Sequence, residues 1–522
     1  MSGYVGVKAM QQARAGLLAA AGATLAMIVA MVVGRFTLGT PLIPELIAQQ
    51  TFALVTPQLF MAMIRLFGFG AKWIAFGLAV VGYLGGGIGL GWLYARWLNR
   101  RGRTPSVGNG CLFGSAVWGV IMTLGMPLLG AGVFGVGLRQ GAGLGAGGLL
   151  ALHLLYGGLL GGLTRRATRA DQAPAAPPVE VSSSPRRRLL RGMIALPVLW
   201  LTPLASALLS TLGGQLAAAM TAAFDAIKGL SPEVTPNDKF YTISINLFDP
   251  TIKPKTWKLI IHGLVEKPLQ LSLQELRALP PHEAYVTFAC ISNEIGGKLI
   301  GNARWKGVPL RTLLEMAQLK PGAHKVVLRS EDGYSTGIPV ERCLRPQTFL
   351  AYEMNGEALP GSHGFPLRAV IPGYYGMKQP KWLTEIEVVA DDYQGYWEER
   401  GWADEAVVKT LSRIDVPAHR AQVALSGTPI GGIAFAGDRG IQKVEFSQDG
   451  GNTWQEATLK PPLSPYAWTL WLAELALPSD GEHLLAVRAT DGQGTLQDER
   501  VSEPLPDGVS GYHKLRVKSQ GA

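Results

Sequence analysis

Cysteine is almost absent from this 522-residue chain. Only Cys111, Cys290 and Cys343 occur, with no CxxC pair and no Cys/His spacing of a zinc site, so neither a disulfide framework nor a thiolate zinc cluster is expected. Histidine is equally sparse early on: His153 is the only one before His262. A b-type haem between membrane helices commonly takes two axial imidazoles, so no haem is predicted. Charge is also scarce, at 16% of residues, and residues 1–230 contain long runs with none. The net charge of +10 invites a nucleic-acid reading, but its position argues otherwise. Much of the excess sits in two arginine groups that border apolar runs: Arg96, Arg100, Arg101 and Arg103, then Arg165, Arg166, Arg169, Arg186, Arg187, Arg188 and Arg191. That is a positive-inside membrane pattern, and no nucleic-acid partner is expected.

What is present divides into a Leu/Ala/Gly/Val-rich first part and an ordinary globular remainder, enough chain for two to four units of roughly 100–200 residues each. A membrane span needs about 20 mostly apolar residues. Five stretches qualify, at 13–34, 72–95, 110–134, 142–164 and 190–212. The stretch Pro44–Gly68 carries Glu45, Gln49, Gln50, Pro57 and Arg65 and reads as an interfacial helix lying in membrane lipid. With the N-terminus inside, five crossings leave both arginine groups inside and everything after about 215 outside. The expectation is a multi-pass inner-membrane protein with a helical region over 1–215 and extracytoplasmic domains. The glycine runs Gly85-Gly86-Gly87-x-Gly89 and Gly141–Gly148 predict close helix packing, because no strand–helix unit surrounds them as nucleotide binding would require. Residues 170–185 are Ala/Pro/Ser-rich and read as a linker. The Pro185–Arg191 run that follows is either a twin-arginine export signal before the last span or a plain cytoplasmic stop cluster.

Beyond residue 235 the pattern changes. Trp257–Ile261 alternates like a strand, Ser272 can cap a helix beginning at Leu273, and Tyr285–Cys290 reads as a strand that delivers Cys290 at its end. Leu310–Ala317 has the period of a short amphipathic helix; Lys325–Arg329, Thr348–Tyr352 and Leu383–Val389 read as strands. The fold expected over 235–412 is a mixed α+β domain. Over 413–517 the strands Ile441–Ser447, Ala467–Trp471 and Leu484–Thr490, with the turn Asp449-Gly450-Gly451 and a strand opening at Thr453-Trp454, predict an all-β immunoglobulin-like sandwich.

Several spaced motifs in one order then become specific. They are Thr287-Phe288-Ala289-Cys290-Ile291-Ser292-Asn293, Trp305-x-Gly307-Val308-Pro309-Leu310, Tyr352–Pro360, and His363-Gly364-Phe365-Pro366-Leu367-Arg368 continued by Pro372-Gly373 and Gly376-x-x-x-x-Lys381-Trp382. Together they resemble the sulfite oxidase family of molybdopterin-dependent oxidoreductases. The resemblance implies a molybdenum–molybdopterin cofactor with Cys290 as the metal's thiolate ligand, a soft donor suited to that ion. It implies cofactor contacts from Asn237, Tyr241, Thr242, Ser330, His363, Arg368, Gln379, Pro380 and Lys381, with Arg368 and Lys381 as natural phosphate partners. A homodimer through the C-terminal unit is implied as well.

Two departures bear on substrate. Where the family follows Cys-x-x-Asn with basic residues, Asn293 is followed by Glu294-Ile295-Gly296-Gly297, and Trp402 stands nearest the family's active-site tyrosine. Lys298, Arg304 or Arg400 are the cations left to restore a positive pocket. The function expected is a membrane-anchored oxidoreductase carrying out two-electron oxo transfer on a small-molecule sulfur or nitrogen oxo substrate, with a separate quinone-linked or cytochrome electron partner. The alternatives are a sulfoxide reductase fed by a membrane electron donor and a non-catalytic membrane-tethered binding protein.

Overall fold

The computed structural model describes residues 2–37, 42–55, 70–136, 141–170 and 222–519, with a few single positions between 40 and 67. The chain divides into two compact units, Met1–Val198 and Leu199–Ala522.

The first unit contains helices α1 (Ser2–Thr37), α2 (Ile43–Leu54), α3 (Ala71–Arg100), α4 (Val107–Val120) and α5 (Gly141–Ala170). Helix α4 runs on through a π-type turn, Ile121–Gly125, as far as Leu128. Four stretches are long and apolar enough to cross a bilayer: Gly16–Thr37, Ala71–Arg100, Val107–Leu128 and Gly145–Ala167. They coincide with four of the five expected spans. The span expected at 190–212 and the arginine run at 186–188 lie outside the described residues, as does the 170–185 linker apart from Ala170, the last residue of α5. The regular part of the 44–68 stretch is α2, 12 residues and so short of the ~20 a crossing needs. Its Glu45 is buried and pairs with Arg35 at 3.1 Å.

Close helix packing falls elsewhere than expected. Among the described residues, Gly85, Gly86 and Gly89 meet no atom within 4 Å of where a Cβ would stand, and only Gly87 of that run packs tightly, on Thr24. Backbone instead meets backbone where Gly110 and Gly114 of α4 cross Gly157 and Gly161 of α5. A Cβ on Gly110 would lie 1.9 Å from the Gly157 carbonyl oxygen, and one on Gly114 2.2 Å from that of His153. The four-residue spacing on both helices puts each glycine pair on one face, the arrangement by which small residues let membrane helices approach.

The second unit begins with two sheets. One has the order β2 (Leu269–Leu271), β1 (Leu259–Gly263), β10 (Leu383–Val389), β5 (Lys325–Ser330), β6 (Ser335–Pro339). The other runs β3 (His282–Ala289), β4 (Ile300–Pro309), β7 (Phe349–Met354), β8 (Glu357–Ala358), with β9 (Arg368–Val370) also on β7. Three short helices, α6 (Leu273–Ala278), α7 (Leu310–Ala317) and α8 (Val340–Cys343), complete the α+β domain. Ser272 caps α6 as its sequence predicts: its hydroxyl accepts from the Glu275 amide while the Glu275 carboxylate accepts from the Ser272 amide. Helix α7 buries Leu310, Leu313, Leu314 and Ala317, the i, i+3, i+4, i+7 stripe, into a core shared with Leu259, Ile261, Val326 and Ile386. Strand β1 extends two residues beyond the expected Trp257–Ile261 segment, pairing in parallel with β10 as far as Gly263↔Val388.

The C-terminal part is β-rich. One sheet has the order β11 (Leu411–Val416), β13 (Ser426–Phe435), β17 (Thr469–Ala476), β16 (Thr458–Leu459). The other is β12 (Gln422–Val423), β19 (His513–Ser519), β18 (Gly481–Asp491), β14 (Ile441–Ser447), β15 (Gln455–Glu456). Ile430, Trp471 and Leu475 from the first sheet share a core with Val444, Phe446 and Leu485 from the second. The strand expected at Thr453 starts two residues later. The Asp449 carboxylate holds the turn by accepting from the amides of Asn452 and Thr453 and from the Thr453 hydroxyl.

The glycine crossing makes a prediction. Gly114→Leu forces α4 and α5 apart and lowers the thermal unfolding temperature of the detergent-solubilised protein. Gly85→Leu, facing open space, leaves it within a degree or two, as fluorescence-monitored melting will read.

Candidate functional site

The end of β3 is the anchor of the site. Its last four residues, Phe288 and Ala289 among them, are all buried because the strand runs beneath the C-terminal unit. There the Thr287 amide donates to the Tyr466 carbonyl at 2.9 Å, and the Trp468 amide donates to the Thr287 hydroxyl at 2.8 Å. The next residue is Cys290, half-buried, with its Sγ 3.1 Å from the Ser292 hydroxyl. Burial pushes its thiol pKa up, opposed by the Ser292 hydroxyl. A loop closes behind it: the Cys290 amide donates to the Leu299 carbonyl at 2.9 Å, and the Leu299 amide donates back to Asn293 Oδ1 at 2.8 Å.

Three tyrosines lie within electrostatic reach of the thiol. Burial raises the pKa of Tyr241, Tyr334 and Tyr375, the last to about 12, and negative charge on Cys290 adds to each. Gly376 must be glycine beside them, since a Cβ there would stand 2.8 Å from the Tyr241 hydroxyl and 3.5 Å from the Ala289 carbonyl oxygen.

Next to Tyr241 lies Arg368, buried at 5% exposure. Phe288 and Trp305 stack with centroids 4.7 Å apart, and the guanidinium carbon sits 4.7 Å and 4.9 Å from the two rings. Nη1 donates to the His363 carbonyl at 3.1 Å and Nη2 to the Gln379 carbonyl at 3.2 Å. Its Nε is buried with no hydrogen-bond partner, and no carboxylate pairs with the guanidinium, among the described residues. Burial lowers its pKa to about 10. An unpaired buried donor costs about 1–3 kcal/mol, more when charged, so this cation calls for an anion. The Ser330 hydroxyl is likewise buried and unpartnered among the described residues.

His363 is buried beside Arg368, its ring edge-on to Phe240. Its Nε2 lies 2.9 Å from the Asn237 carbonyl, which can only accept, so Nε2 carries the proton and Nδ1 is left as an acceptor. Burial first, then the Arg368 and Lys381 charges, hold its pKa down at about 4 against the hydrogen bond to Asn237. The Lys381 ammonium donates to the Ser244 hydroxyl at 2.8 Å and the Ser362 carbonyl at 3.0 Å, over the Trp382 ring.

The expected residues therefore separate. Cys290, Tyr241, His363 and Arg368 converge, with Lys381 and Ser330 joined to them through the Trp382 turn and the β10–β5 pairing. The Asn237 and Gln379 side chains serve the frame. Asn237 Oδ1 accepts from Asn355 at 2.8 Å, and the Gln379 amide spans the Ile371 amide and the Tyr374 carbonyl. The Pro380 carbonyl accepts from the Ala369 amide, and Thr242 is exposed. Of the three candidate cations, Lys298 is exposed and Arg304 pairs outward with Glu283 at 3.4 Å. Arg400 stacks 3.7 Å over Tyr396, whose ring is 5.9 Å from Tyr334. Trp402 is buried against Trp397, a packing residue.

Sequence reasoning missed Tyr334, Tyr375 and Gly376. It also missed a buried charge cluster in which the Lys378 ammonium donates to Glu398 and to Asp404, the latter at 2.9 Å. Lys378, one of two lysines from Gly376 to Lys381, and a Glu after a Tyr-Trp pair carry no spacing signal by themselves; the fold joins them.

Because His363 is neutral when folded, its contribution to stability is fully present above the ordinary histidine pKa of about 6.5. It is lost as pH falls toward about 4, where the folded imidazole also takes a proton. Denaturant midpoints measured from pH 7 to pH 4 will fall less steeply for His363→Gln than for wild type.

Comparison with known proteins places this geometry. Residues 246–397 match the oxidoreductase molybdopterin-binding domain, and residues 405–519 the Mo-co oxidoreductase dimerisation domain. Chicken sulfite oxidase is 31% identical over 319 residues, 52% of this chain and 69% of that protein. Rat mitochondrial sulfite oxidase is 31% identical over 317 residues, and the match spans only 58% of its length. An uncharacterised oxidoreductase of Bacillus subtilis, YuiH, is 36% identical over 146 residues, 28% of this chain and 72% of that protein. The solved structure of the sulfane dehydrogenase SoxCD from Paracoccus pantotrophus superposes with a TM-score of 0.50 at 25% identity, over 55% of this chain and 82% of that one.

Proposed function

The chain belongs to the sulfite-oxidase family of molybdopterin-binding oxidoreductases, and on that premise we propose that it catalyses two-electron oxo transfer on a small sulfur or nitrogen oxo compound. The observation that carries this reading is Arg368, a buried guanidinium with an unfilled Nε and no carboxylate partner among the described residues, which shares the neighbour Tyr241 with Cys290. Those residues fit an anionic cofactor next to a thiolate-bound metal. Molybdenum held by a pterin dithiolene and by Cys290 supplies exchange of an oxo group and of two electrons when bound.

The chain's own residues supply position and field. Arg368 and Lys381 offer positive charge to a phosphate. His363 offers Nδ1 as an acceptor, its orientation fixed by the Asn237 carbonyl. Gly376 lets backbone come close to the Cys290 side of the site. Tyr241, Tyr334 and Tyr375 stay protonated, with the Tyr334 hydroxyl donating to the Met377 carbonyl and that of Tyr375 accepting from the Lys409 amide.

The substrate reading departs from sulfite. Asn293 is spent on closing its loop, Glu294 is exposed, and Trp402 is packed, so the basic set that would hold sulfite is reduced to Arg400. This favours a substrate of lower charge, and a sulfane of the kind named for the Paracoccus protein joins the candidates. The same loss of cations favours, as a second reading, reduction of a neutral sulfoxide with electrons from the membrane. The four membrane-length helices make this a multi-pass membrane protein. We propose a fifth span at 190–212, an extracytoplasmic catalytic unit, and a homodimer through the β-rich C-terminal unit, read as an immunoglobulin-like sandwich over 413–517.

Metal analysis of the purified full chain tests the core of the reading. One molybdenum per chain is expected in wild type and none in Cys290→Ser; molybdenum absent from wild type, or kept by the variant, overturns it. Arg368→Met is expected to cut pterin retention at least tenfold, because a charged hydrogen bond of about 1.5–3 kcal/mol is lost. A dye-coupled assay of sulfite, a sulfane and a sulfoxide fixes substrate and direction. For topology, a reporter fused after Ala522 is expected to be active outside the membrane, and cytoplasmic activity refutes five crossings.

A further inference from the structure

The membrane unit holds a cavity of about 780 Å³ between α1, α2, α3, α4 and α5. Its lining is almost wholly apolar, and no Lys, Arg, Asp or Glu borders it among the described residues. Three features show that it is shaped for a particular kind of guest.

The first is glycine. Gly82, Gly86 and Tyr83 line the cavity from one face of α3. Where a Cβ would stand on Gly82 or Gly86 there is open space, with nothing within 4 Å among the described residues. Gly110, by contrast, is used for backbone contact against Gly157. At 82 and 86 the missing side chain leaves open volume on the cavity wall.

The second is His153, buried at 2% exposure and facing the cavity. Its Nδ1 lies 2.7 Å from the Leu149 carbonyl, an acceptor, so Nδ1 holds the proton of the neutral ring. The Nε2 lone pair is left with no partner among the described residues. An acceptor on an otherwise apolar wall favours a guest with a hydroxyl.

The third is Tyr83, whose hydroxyl donates only to the Met27 sulfur at 3.6 Å, a weak acceptor readily exchanged for oxygen. The other hydroxyls on the wall are spent on carbonyls: Thr24 on Ala20, Tyr156 on Gly87.

We propose that this cavity binds the ring of an isoprenoid quinol, with His153 Nε2 accepting from a phenolic hydroxyl and Tyr83 donating to a ring oxygen. The volume lies within the ~300–1,000 Å³ usual for small-molecule sites, enough for a substituted ring and the start of its tail. A phospholipid head group is disfavoured because, among the described residues, no cation borders the cavity to meet its phosphate. Quinol is also a bilayer carrier of two electrons and two protons, released together as it becomes quinone. This matches the two-electron chemistry assigned to the Cys290 site; that link alone rests on the preceding proposal.

The test uses purified full-length protein in detergent and decylubiquinol kept reduced, with retention measured by filtration against empty micelles. Saturable retention of one quinol per chain is expected. His153→Leu weakens it at least tenfold, His153→Gln restores most of it through a side-chain acceptor, and Gly86→Leu abolishes it while the protein still melts as wild type. Retention that never saturates, or that is equal in all variants, overturns the proposal. So does a Gly86→Leu protein that fails to fold, because the space would then be filled by the chain itself. Should His153→Leu lose stability as well as ligand, the Gln variant decides: no recovery counts against the assignment. Molybdenum plays no part in this readout, so a negative result leaves the Cys290 reading where metal analysis puts it.

Discussion

A single buried positive charge organises the catalytic unit. Arg368 sits on the stacked rings of Phe288 and Trp305, held by two backbone carbonyls and balanced by no carboxylate among the described residues. Taking a guanidinium out of water is costly unless its donors are met, and here one donor is not. The surroundings are arranged to bear that cost: the residue two before Cys290 supplies one ring, β4 supplies the other, and the His363 turn and the Gln379 loop each contribute a carbonyl. Remove the charge and these four segments lose their common partner. Keep it, and the pocket has a standing requirement for an anion, which is why the same residues read both as a core and as a site.

The buried lysine Lys378 obeys the opposite rule. It meets Glu398, Asp404 and the Gly337 carbonyl, so its charge is answered within the protein. Two cations ten residues apart are thus treated differently, one closed off and one left open. The open one lies toward Cys290 and the closed one ties the 396–404 segment to β6.

Much of this was legible in the sequence, for reasons particular to each element. Ser272 and Glu275 announce a capped helix because the signal is local, and Leu310–Ala317 shows its buried face through its period. Four of the five expected spans follow from length and hydropathy alone. Cys290, His363 and Arg368 stand out through spaced motifs. What stayed hidden depends on contacts far apart in the chain. Nothing near Tyr334 or Tyr375 says that both come within electrostatic reach of Cys290. The glycines that bring helices together, at 110, 114, 157 and 161, look no different in sequence from those at 85, 86 and 89, whose Cβ positions meet nothing within 4 Å among the described residues. Asn237 and Gln379 look like ligands by motif, yet their amide groups are consumed by backbone and by Asn355.

The stitching of β3 to the C-terminal unit has a consequence in time. Thr287 and Trp468 are separated by 181 residues, yet their hydrogen bond steadies the strand that ends at Cys290. A ribosome adding about 5–20 residues per second needs some ten to forty seconds to make that stretch. Throughout that interval the Cys290 strand exists without the neighbour that buries it. Assembly of the Cys290 site therefore belongs late, to a chain that already extends past Trp468.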